Sequence, residues 1–130
     1  MTDKDLHAAT DALNVKLAAA EKLLQDMNLG VKGFVHLHLS GDSVLEFRKV
    51  GDTWGLFVSL QETQTGTRGA PRHILSVSRE HRINAAHLLG RLLENIQLRY
   101  EAERGLVDAA NVAADSFLSH AASIARDKPA

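Results

Sequence analysis

The chain has 130 residues, with 15 Lys and Arg against 16 Asp and Glu, for a formal net charge of −1. Hydrophobic residues make up 45% and charged residues 24%, the balance of a globular domain rather than a disordered tail. The length fits a single domain, 1–130, with a core of its own. Without cysteine, disulfide frameworks, thiolate zinc sites, iron–sulfur clusters and cysteine nucleophiles are excluded. No apolar run approaches the ~20 residues of a membrane span. The acidic start Met1-Thr2-Asp3-Lys4-Asp5 lacks the apolar stretch of a signal peptide. A cytoplasmic protein without membrane contact is the expectation.

Residues 2–29 read as an amphipathic helix. Thr2 followed three residues later by Asp5 resembles a capping box. Leu6, Thr10, Leu13, Leu17, Ala20, Leu24 and Met27 then recur at alternating spacings of four and three, a heptad seam broken only by Thr10. Gly30 stands where a left-handed C-cap is expected.

From residue 31 to 61 the period becomes two. Val35, Leu37 and Leu39 alternate with Phe34, His36 and His38, and two further apolar runs follow, separated by turn residues. The pattern predicts an antiparallel meander. A three-residue loop Gly41-Asp42-Ser43 pairs Leu39 with Leu45 and Leu37 with Phe47. A two-residue Gly51-Asp52 turn of type II′ pairs Phe47 with Leu56 and Leu45 with Val58. All large aliphatics then share one face. The other face carries His36, His38, Glu46, Arg48 and Phe57, a mostly polar surface facing water or a partner.

Residues 62–72, rich in Gly, Thr and Arg, predict a loop. His73 to Ser78 reads either as a fourth, edge strand or as an extended lead-in. Ser78 is the expected N-cap of a long helix over 79–127. Leu93, Ile96, Tyr100, Val107, Ala114 and Phe117 lie on its heptad seam, where Glu103 is the polar interruption. Such a helix would be about 70 Å long, whereas a compact domain of this size has a radius of gyration of only ~14 Å. Either it breaks near Gly105, or it projects and is buried in a homo-oligomer; the unbroken seam favours the second. The whole is an α+β fold: N-terminal helix, three- or four-stranded antiparallel meander, long C-terminal helix.

The familiar phosphate loops and zinc helices are absent. His36 and His38 share a strand face, but no carboxylate spacing selects a third metal ligand, so no metal or cofactor is expected. Serines occur in no nucleophile elbow. Charge is more informative. Residues 1–30 and 101–130 each carry five acids against three bases, and 31–100 carries nine bases against six acids. Arg68, Arg72, Arg79 and Arg82 cluster around the start of the long helix, where cations oppose the helix dipole and suggest an anionic neighbour. Duplex DNA is disfavoured by the net charge.

In layout the first half, a helix and then a meander, resembles the dimeric chaperones of bacterial secretion systems; the Ala-rich end lacks the further strands expected there. The leading expectation is a non-enzymatic homo-oligomeric binding protein, of adaptor, inhibitor or chaperone-like kind, with a protein partner. The alternative is an anion receptor for a nucleotide or other phosphate through the four arginines. A His-based metal hydrolase is the remote one.

Overall fold

The computed structural model describes residues 2–38, 42–60 and 69–128. The elements are α1 (Asp3–Met27), β1 (Gly33–His36), β2 (Ser43–Val50), β3 (Thr53–Leu60), β4 (Arg72–His73), a short 3-10 turn (Ile74–Ser76) and α2 (Arg79–Asp127). The fold is α+β, with one antiparallel sheet in the order β1-β2-β3-β4. The chain divides into two compact units, Met1–Arg99 and Tyr100–Ala130.

Helix α1 starts as its sequence dictates. The Thr2 hydroxyl accepts from the Asp5 amide, and the Asp5 carboxylate accepts from the Thr2 amide and hydroxyl. Those bonds hold the Asp5 carboxyl below the ordinary Asp range. The helix ends earlier than expected: the left-handed C-cap is Asn28 (φ 50°), whose N–H returns to the Gln25 carbonyl, and Gly30 (φ 69°) makes the next positive-φ step. Asn tolerates this region through its short polar side chain.

The β2–β3 hairpin has the predicted register, Phe47 opposite Leu56 and Leu45 opposite Val58. Gly51 takes the positive φ (63°) of its first turn position, as a type II′ turn requires. The β1–β2 register does not. Val35 lies opposite Leu45, and Gly33 opposite Phe47; Leu39 and Gly41 fall outside the described residues. The slip preserves side-chain parity, so Val35 and Leu37 still face the core. It brings Gly33, rather than Leu37, opposite Phe47, and there a Cβ would collide with the Ile96 side chain of α2. The helix sits where a glycine permits it.

One sheet face packs on α1 and the first part of α2. Leu17, Leu45, Leu56, Val58, Ile74, Leu92 and Ile96 are its fully buried aliphatics. Trp54 is half-buried at the rim, stacked on Phe47 at 5.4 Å. Strand β4 is only two residues long; the rest of the expected 73–78 strand is the 3-10 turn, anchored by buried Ile74.

Both outer edges of the sheet are met by helix side chains. On the β1 side, the Phe34 amide and the His38 amide just beyond the strand donate to Asn95 (3.0 Å) and Asn84 (2.9 Å) of α2. On β3, where β4 does not reach, the Leu56 amide donates to Glu21 (2.8 Å) and Gln25 donates to the Trp54 carbonyl (2.7 Å). Gly55 keeps this edge open, since its Cβ would lie 2.8 Å from the Glu21 carboxylate.

Ser78 caps α2, its hydroxyl accepting from the His81 amide and its carbonyl from the Arg82 amide. The helix runs through Gly105 without a break. No residue from 100 to 128 is buried. Two glycines give a paired prediction. Gly33→Ala, which collides with Ile96, lowers stability by about 1–3 kcal/mol. Gly105→Ala, in open space on a helix, raises helical stability by up to ~1 kcal/mol. Chemical denaturation followed by circular dichroism checks both signs.

Candidate functional site

The expected polar sheet face is the first candidate, and its centre is closed. Glu46 and Ser59 are 2% and 1% exposed. The Glu46 carboxylate accepts from Lys32 Nζ at 2.8 Å and from the Ser59 hydroxyl, with Arg48 Nη1 at 3.6 Å. Burial pushes the Glu46 carboxyl up. The bonds from Lys32 and Ser59 and the charges of Lys32 and Arg48 outweigh that, and hold it below the ordinary Glu range. Glu46 is thus a structural ion-pair centre rather than a recognition group facing water. Opposite it lies Phe34, not the expected His38, and Val44 lies opposite His36. His36 instead approaches Asp42 at 3.4 Å and contacts Phe34 edge-on, while Arg99 lies over the Phe34 ring at 5.3 Å. His38 is exposed, with its amide on Asn84. Phe57 is half-buried and meets the His73 ring edge-on.

His73 is a constellation that sequence reasoning missed. Its Nε2 lies 2.8 Å from Glu21 Oε2, and its Nδ1 accepts from the Leu75 amide. The second bond places the neutral ring's proton on Nε2, directed at Glu21. The same Glu21 oxygen accepts from the β3 edge. The sequence signal was Glu21, beside Lys22, set between the apolar runs 17–20 and 23–24 of the helix. Ser78 and His81 form a Ser/His contact, Oγ to Nδ1 at 2.6 Å, as part of the helix cap. Among the described residues, no three His, Asp or Glu side chains converge on a point where a metal ion could sit.

The arginines are partly brought together. Arg68 lies outside the described residues. Arg72 is exposed on β4. Arg79 and Arg82 are half-buried in the first turn of α2, with Nε atoms shielded and without a hydrogen-bond partner among the described residues. Arg82 Nη1 donates to Asn14 of α1. That bond ties one of the four to the scaffold.

The concave apolar surface of the first unit is elsewhere. A groove of about 370 Å³ runs between the second half of α1 and α2, lined by Ala20, Leu23, Leu24, Met27, Leu89, Gly90 and Leu93. Every lining group is aliphatic, glycine or thioether, so it offers dispersion and burial but no acid, base or nucleophile. The expected interface residues divide between the units. Ile96 is 1% exposed and belongs to the first unit's own core, which removes it from any interface. Leu93 lines the groove. In the second unit Tyr100 is half-buried and Ala114 exposed, and Val107 and Phe117 are 52% and 67% exposed.

No protein-family model, curated protein or solved structure matches the chain. No helix among the described residues is long and apolar enough to cross a membrane.

The Glu46 centre has a pH signature. Its folded pKa lies below the free value of 4.5, so its contribution is complete above the unfolded pKa and is lost as pH falls through the folded one. Between about pH 5 and pH 3 the native protein therefore loses stability more steeply than Glu46→Gln does. Urea midpoints measured across that range check this; parallel curves for the two proteins contradict it.

Proposed function

We propose that the protein is a non-enzymatic, homo-oligomeric binding protein of the cytoplasm, assembled through the second half of α2 and acting by occupying a protein partner. The observation that carries this reading is the exposure of large apolar side chains along that segment, with Leu106 at 70% and Leu118 at 61% beside Val107 and Phe117. A contiguous apolar stripe left in water marks an interaction surface. The groove between α1 and α2 supports the partner-binding half of the proposal. Its aliphatic walls suit the apolar face of a polypeptide segment and offer nothing to a polar substrate.

The acid–base pairs also support a binding rather than a catalytic role. Glu46 is held by Lys32 and Ser59, Glu21 and His73 seal a sheet edge, and Ser78 and His81 cap a helix. Each is committed to a bond that the fold uses. The anion-receptor reading has one observation in its favour, the shielded, unpartnered Nε atoms of Arg79 and Arg82.

Size-exclusion chromatography with light scattering, recording absorbance at two wavelengths, tests both readings. The oligomeric binding protein elutes as a multimer with protein-like absorbance and shows no melting shift with inorganic phosphate or nucleotides. A clean monomer overturns the assembly. A multimer with excess nucleotide absorbance, and a phosphate-dependent melting shift lost in Arg79→Ala, favours the receptor instead.

A further inference from the structure

The apolar stripe of the second unit has a spacing, and a composition of its layers, that suit pairing with a second copy of itself. Along the helix, seam positions fall in pairs centred on Val112: Ala110 with Ala114, Val107 with Phe117, Glu103 with Ala121, and Tyr100 with Ile124. In an antiparallel helix pair, each first heptad core position packs against the second core position of the other chain. A two-fold axis at the level of Val112 therefore makes every one of these pairs a layer between two copies. Small meets small at the centre, allowing close approach of the backbones, and large meets large on either side. A self-complementary patch is what a two-fold interface demands.

Charge decides the direction. A parallel pair places Glu103 of one chain against the partner's Glu103 inside the seam, a like-charge contact that is desolvated without compensation. The antiparallel pair separates the two glutamates and puts each beside the partner's Ala121, where it can reach water past a methyl group. Opposed helix dipoles add to the preference. Length agrees as well. The outermost layer, Tyr100 with the partner's Ile124, starts at the first residue of the second unit and ends one turn before the helix terminus at Asp127. The seam thus uses the whole segment.

Among the described residues, the sheet's edge groups are partly taken. The Phe34 and His38 amides at the β1 side, and the Leu56 amide and Trp54 carbonyl of β3 beyond the reach of β4, bond side chains of the two helices. A second copy therefore gains little by adding a strand at those positions.

Resting on the oligomeric reading above, we infer that residues 100–127 form an antiparallel two-fold helix pair with a second copy of this chain, with the axis passing at Val112.

The chain has no cysteine, so single-cysteine spin labels report cleanly. Ser119→Cys and Arg126→Cys lie on the face opposite the seam and are exposed. Pulsed electron–electron resonance on each labelled full-length protein gives the distance between copies. With the axis at Val112, the two labels at 119 are offset along the helices by ~21 Å, and those at 126 by ~42 Å. The distance at 126 is therefore the longer by more than about 10 Å. Equal distances at both positions mean a parallel pair, which overturns this inference while leaving the oligomeric reading intact. A monomeric mass by light scattering, with no intermolecular distance at either label, overturns both. Circular dichroism matching the unlabelled protein shows that the labels have not disturbed the helix.

Discussion

A small antiparallel sheet has two outer rows of backbone N–H and C=O groups, and the first unit is arranged around satisfying them. Strand β1 is four residues long and β4 only two, so neither shields its side of the sheet from another chain. The helices do so instead. Asn84 and Asn95 stand eleven residues apart on α2 and meet amides four residues apart on β1 and just beyond it, a spacing that fits an antiparallel helix and extended chain. Glu21 and Gln25, one turn apart on α1, meet the exposed part of β3. The two edges are closed by the same device, with opposite elements supplying it.

This constraint explains several features that otherwise look unrelated. Gly33 and Gly55 are the points where the helix side chains or backbone come closest to the strands, and a Cβ at either meets Ile96 or Glu21. His73 is drawn to the Glu21 carboxylate, and its own ring then supports the turn into Ile74 by accepting from Leu75. Ile74, fully buried, fastens that turn to the core. With these edge groups bonded, the first unit buries a core of its own, including Leu17, Leu45, Leu56, Ile74, Leu92 and Ile96. The second unit buries no residue from 100 to 128, and its helix satisfies only its own backbone. In the assembly proposed above, that contrast favours the helix over the sheet as the contact surface.

Much of this was legible in the sequence, because periodicity is read directly from apolar spacing. The capping box at Thr2, the Gly51-Asp52 hairpin with its register, the Ser78 cap and the unbroken α2 all follow from local signals. What local signals could not give were the tertiary contacts. The β1 register slipped because turn chemistry at Gly41 suggested a short loop, while the deciding factor was Gly33 under Ile96, a contact between residues far apart in sequence. Parity survived the slip, so Val35, Leu37, Leu45 and Phe47 still face the core even though the pairing differs. The polar face was misread for a related reason. Alternation places Glu46 away from the aliphatic core, but it does not reveal that Lys32, Arg48 and Ser59 gather around it. Ile96 fits the heptad seam and the core equally well, and only packing decides between them.

The central claim is that the first unit is complete in one chain while the second unit depends on another copy. Hydrogen exchange followed by mass spectrometry, at protein concentrations spanning dissociation, tests it most directly. Amides between 104 and 127 should gain protection as concentration rises, while those of β2, β3 and the buried part of α2 stay protected throughout. Protection over 104–127 that is absent or unchanged at every concentration, with a monomeric mass, would contradict the account.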